Sequence, residues 1–83
     1  MISENLQLMR ISRKPALIML LTKEEQTEAV QMIAVENWPR AIKYIIDPCE
    51  QAQVHCVQEN PELFFLLKNP CKKASVMYYL LSN

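Results

Sequence analysis

The chain writes one short phrase twice, "IDPCEQAQV" at 46–54 and "KNPCKKASV" at 68–76. A recurrence of this kind restricts it to folds made by stacking a small unit. Prolines anchor the wider pattern: Pro15, Pro39 and Pro61 are spaced by 24 and then 22 residues. Aligned on them, Gln7, Gln31, Gln53 and Ser75 share a position. Leu8, Met32, Val54 and Val76 share a second, and Ile11, Val35, Val57 and Tyr79 a third. After each proline comes an apolar stretch, "ALIMLL", "RAIKYII" and "ELFFLL". The unit therefore runs to about 22 residues and occurs about three and a half times, at 2–22, 23–47, 48–69 and 70–83, in one domain spanning 1–83.

Each unit reads as two short helices. Asp47 and Asn69 are good N-cap residues, and the proline after each fits the first helical position, where a missing N–H costs nothing. Thr22 with Glu25 makes a capping box. Asn60-Pro61 repeats the cap-then-proline signal for a second helix, and Pro15 and Pro39 mark the same junction. A proline also ends the helix before it. The punctuation predicts helices over 4–13, 15–21, 23–37, 39–46, 48–59, 61–68 and 70–81. Leu8 with Ile11, Met32 with Val35 and Val54 with Val57 are i,i+3 pairs of a buried stripe. The second helices are nearly all apolar and are expected at the centre, with Phe64, Phe65 and Tyr44 buried. The predicted fold is all-α, a compact α-solenoid of about three and a half helix-pair repeats, in which each layer covers the oily face of the one before.

Composition removes whole classes of function. Glycine is absent, so the glycine-dependent phosphate loops, dinucleotide fingerprints and nucleophile elbows are excluded together. Formal net charge is zero, which argues against a broad phosphate-binding field. The best candidate for a membrane segment, "PALIMLL" at 15–21, is about a third of the ~20 residues a span needs, and reads as a core helix. Three cysteines and no signal peptide predict reduced thiols and a cytoplasmic location.

The stretches "AVQMIAVENWPRAIKYIIDP" and "AQVHCVQENPELFFLLKNP" resemble short helical repeats of uncharacterised function in bacteriophage and large-virus proteins. Ala34-Val35, Asn37, Ala41-Ile42 and Tyr44-Ile45 carry the resemblance, then Val57, Asn60-Pro61 and Asn69-Pro70. It covers residues 26–76 well and the first 22 poorly, and Trp38 departs from it. The resemblance implies a helical-repeat fold and a phage-like source. It carries no catalytic residues onto this chain.

Cys49, His55, Cys56 and Cys71 are the metal candidates by residue type. Their spacings of 7 and 15 lack the tight pairs of a zinc site. Cys49 and Cys71 hold the same repeat position, about one layer or ~10 Å apart, too far for a disulfide. We read them as packing or solvent-facing thiols, and His55 as a packed or rim histidine. No metal, cofactor or enzymatic activity is expected. Arg13, Lys14, Arg40, Lys43, Lys72 and Lys73 could align as a basic ridge for nucleic acid, or form an ordinary solvated edge. Trp38, at an insertion peculiar to its unit, either plugs a core gap or anchors a partner. "SVMYYLLSN" is apolar almost all round, so Met77, Tyr78 and Leu81 join Trp38 as the partner-binding set. A homodimer or a docked protein partner through helix 70–81 is expected. The function so predicted is a non-enzymatic protein-interaction module. It would be a phage accessory factor that inhibits or regulates a host or phage protein, such as a defence inhibitor or lysis-timing regulator. An RNA-binding module is the alternative.

Overall fold

A computed structural model describes residues 4–82, and these are all helix and connection. Four ten-residue α-helices, α1 (Glu4–Arg13), α2 (Glu28–Asn37), α3 (Glu50–Glu59) and α4 (Lys72–Leu81), alternate with three six-residue 3-10 helices, η1 (Pro15–Leu20), η2 (Pro39–Tyr44) and η3 (Pro61–Leu66). Each α-helix touches the α-helix of the next unit, and each η packs on its own α-helix, the next α-helix and its neighbouring η. Among the described residues no element reaches past the adjacent unit, so the architecture is a one-dimensional stack. Four layers at roughly 10 Å spacing account for the long dimension of 45 × 20 × 15 Å.

Pro15, Pro39 and Pro61 all stand at the first position of an η helix, so the proline register is the structural register. The residue before each is held out of the helical region, with φ of −144°, −154° and −152° at Lys14, Trp38 and Asn60, as a proline requires of its predecessor. Each of these residues offers its carbonyl to the first three-residue turn, through Leu17, Ala41 and Leu63 N–H at 3.0, 2.8 and 2.9 Å. Trp38 is therefore the structural equivalent of Asn60, and the insertion expected there is absent. The extra two residues lie instead in the η1–α2 connection. There Thr22 and Glu25 exchange the reciprocal bonds of a capping box, at 2.9 and 3.2 Å, around a single turn that does not run on into a helix.

Three expectations are corrected. The second helices are 3-10 and end at 20, 44 and 66. Six residues in 3-10 geometry reach about 12 Å, against about 9 Å in α geometry, and so better match the length of the ten-residue helix beside them. Nor do they fill the centre. Ile18, Ala41, Ile42 and Leu63 point inward, while Met19, Leu20, Phe65 and Leu66 are exposed, Phe65 at 70%. The α-helices begin at 28, 50 and 72, not 23, 48 and 70. Their N-caps are Thr27, Cys49 and Cys71, and Pro48 and Pro70 sit one residue before the cap. Asp47 and Asn69 lie in the connection and cap nothing.

The core is a ladder of repeat positions. Val30, Ala52 and Ala74 hold one rung set, Ala34 and Cys56 another, and Val35 and Val57 a third; all are at most 1% exposed. Three polar side chains are buried with them, Gln26, Gln31 and Gln53. Gln31 Oε1 accepts the Cys49 N–H at 2.7 Å, and its Nε2 donates to the Gln26 carbonyl at 2.9 Å. Gln53 repeats this one layer on, with the Cys71 N–H at 2.7 Å and the Pro48 carbonyl at 2.9 Å. Each glutamine thus satisfies an N-cap amide of the next unit that would otherwise be stranded in a tight connection. At the fourth rung the position is Ser75, whose hydroxyl bonds back to the Cys71 carbonyl at 3.1 Å.

Candidate interaction surface

The buried stripe at Val35 and Val57 is covered by the next layer of the stack. Continuing the register by 22 residues gives Tyr79, which is 78% exposed. Val76, one helical turn before it on the same side, is 50% exposed, and its neighbour Leu80 is 70% exposed. Leu81 adds a partly exposed side chain. The outer face of α4 is therefore apolar and uncovered.

Of the residues expected to bind a partner, Leu81 is 46% exposed, and Met77 and Tyr78 are half-buried. Tyr78 stacks on Phe64 with ring centroids 4.5 Å apart and meets Phe65 edge-on at 5.3 Å, so it fastens α4 to η3. Tyr79, Leu80 and Val76 were missed. The register already held the signal: Tyr78 aligns with buried Cys56 and Ala34, and Tyr79 with residues whose burial requires a following unit. Met77 lines a groove between α3 and α4 with Val54, Val76 and Leu80, of about 310 Å³ and almost wholly apolar, with Lys72 and Lys73 at its rim. Trp38 is half-buried against the core, 6.1 Å from the Tyr44 ring. Of the two roles set out for it, packing is the one its surroundings fill.

The basic residues fall into separate groups. Arg13, Lys14 and Arg40 flank α-to-η junctions, where the third unit places Glu59, Asn60 and Glu62. Lys72 and Lys73 open α4, and Lys73 Nζ lies 3.3 Å from a Glu50 carboxylate oxygen. Lys43 sits over the Tyr44 ring at 5.0 Å. One repeat position does not collect them into a ridge.

Cys56 is buried, with its thiol donating to the Pro39 carbonyl at 3.3 Å. Burial, with a smaller contribution from the Glu59 charge, pushes it from 9.0 up to about 12, which keeps it a thiol and a poor nucleophile. Cys49 and Cys71 are half-buried N-caps, and Cys71 Sγ accepts the Ala74 N–H at 3.4 Å. His55 lines a shallow groove with Met32 and Val54. Among the described residues no three His, Cys, Asp or Glu side chains come together to hold a metal, and no helix is long and apolar enough to cross a membrane.

Compared with family models, curated proteins and solved structures, the chain finds no match.

Proposed function

We propose that the chain is a non-enzymatic protein-interaction module that docks through the outer face of α4, with a second copy or another protein as the occupant. The observation that carries this reading is Tyr79, a large side chain 78% exposed at a repeat position that is fully buried in α2 and α3. The surface there has the chemistry of a layer interior, and exposed apolar patches of this kind mark contact sites. Tyr is also favoured at interface centres. The biological setting we propose, on the resemblance to viral repeats, is a phage accessory factor acting on a host or phage protein. Nucleic-acid binding has weaker support, because Lys73 is paired and the basic residues are divided among different repeat positions.

The test uses the intact chain at several concentrations in sedimentation velocity, and as bait against host and phage lysates. Tyr79→Asp with Leu80→Asp is expected to abolish both self-association and capture of a partner while leaving the helical circular dichroism unchanged. Association that survives the double change, or that collapses steeply with added salt as phosphate contacts do, would overturn the reading.

A further inference from the structure

Gln26 fills a socket between two layers. Its Nε2 donates to the carbonyls of Ile18, Leu21 and Tyr44 at 3.0, 3.3 and 3.5 Å, and its Oε1 accepts the Ile46 N–H at 2.8 Å. The side chain thereby joins the end of η1 to the end of η2. One layer further on, the groups around the socket recur as Ile42, Ile45, Leu66 and Lys68, and the residue in Gln26's place is Pro48. Proline has no side-chain amide to offer. At this place the structure has an open cleft of about 280 Å³, lined among others by Ile42, Ile45, Gln53, Leu66, Lys68 and Asn69.

The backbone around the cleft is set as it is around Gln26. Ile45, which precedes Ile46, has φ −86° and ψ 126°; Leu67, which precedes Lys68, has φ −84° and ψ 125°. Lys68 N–H therefore points as Ile46 N–H does. Ile46 N–H has Gln26, whereas among the described residues the Lys68 N–H and the Leu66 carbonyl bond to no other group of the chain. A donor and an acceptor are thus held at the spacing that one amide satisfies in the layer before.

Building on the reading of the chain as a protein-binding module, we propose that this cleft seats a primary carboxamide, the side chain of a glutamine or asparagine on a partner polypeptide. Its NH₂ would donate to the Leu66 and Ile45 carbonyls, and its oxygen would accept the Lys68 N–H. Ile42, Ile45 and Leu67 supply the apolar part of the lining, and a site built for an amide disfavours groups that leave its polar atoms unpaired.

The experiment follows backbone amide resonances of the intact, isotope-labelled chain. The probe is the chain's own 22–28 segment as a peptide, acetylated and closed with a methylamide so that Gln26 is its one primary amide. The expected result is a saturable shift of the Lys68 and Asn69 amides, about tenfold weaker or absent with the Gln26→Ala peptide. N-acetylglutamine methylamide distinguishes the sources. If it binds as well as the peptide, the cleft takes a free amide and the polypeptide assignment falls. A Pro48→Gln chain should show the Lys68 shift with nothing added and no longer respond to the peptide. Equal shifts with the glutamine and alanine peptides, or none at 10 mM, would overturn the proposal. Partner capture that persists with a silent cleft overturns this inference alone. Loss of the α4-dependent interaction with a responsive cleft overturns only the docking face.

Discussion

Gln31 and Gln53 each tie two connections together with a single side chain, and the stack depends on them more than on any surface charge. Truncating Gln53 to alanine leaves the Cys71 N–H and the Pro48 carbonyl without partners in a part-buried setting. The expected loss is about 2–4 kcal/mol, read from urea unfolding, and Ser75→Ala should cost less than about 1 kcal/mol because its hydroxyl serves only its own helix. Alignment on proline places these three residues in one column with Gln7, so the position was legible. Its role was not, because a glutamine on a helix does not announce a partner 18 residues ahead. Cys56 gives a second test at this scale. Its folded pKa is raised, so the unfolded chain loses its proton first. The stability tied to the thiol is intact below pH about 9 and falls as pH climbs toward 12. Between pH 9 and 10 the native chain should lose on the order of 1 kcal/mol relative to Cys56→Ala, for which Ala34 is the precedent one layer back. In the native state iodoacetamide should modify Cys49 and Cys71 well before Cys56.

At the scale of the element, the pattern of apolar runs and prolines located all seven helices, while their type and their first turns escaped it. A six-residue apolar run carries no local signal that separates α from 3-10 closure, and the 3-10 form spans more of the ten-residue helix beside it. The helix starts were misplaced for a related reason. Asp-Pro and Asn-Pro carry the residue types of a cap followed by a first helical position, yet the short connections put the cap two residues later, on cysteine. This difference is measurable. Asp47→Ala and Asn69→Ala should change stability by less than about 0.5 kcal/mol, since Asp47 makes only an exposed pair with Lys23 at 3.8 Å. Cys49→Ser and Cys71→Ser should stabilise by about 0.5–1 kcal/mol, because an oxygen is a better acceptor than sulfur there and Thr27 already uses one for the Val30 N–H at 3.3 Å. Thermal denaturation followed at 222 nm separates the two pairs.

In the whole molecule, identical positions have opposite worth according to what lies beyond them. Val35, Val57 and Tyr79 occupy one column of the repeat, and the first two are fully buried while the third faces outward. In a stack of nearest-neighbour layers such a face is covered by a further layer or by a partner, and in α4 it is Tyr79 that continues the buried column. Charge placed in this column therefore separates internal packing from external docking. Val57→Asp puts an unpaired carboxylate between layers, which costs several kcal/mol and should leave the isolated chain largely unfolded by circular dichroism. Tyr79→Asp meets water, so the melting temperature should stay within about 2 °C of the parent while concentration-dependent association disappears. A Tyr79→Asp chain as unstable as Val57→Asp would mean that this face is packed within the monomer, and the docking surface would have to be sought along the exposed side chains of the η helices.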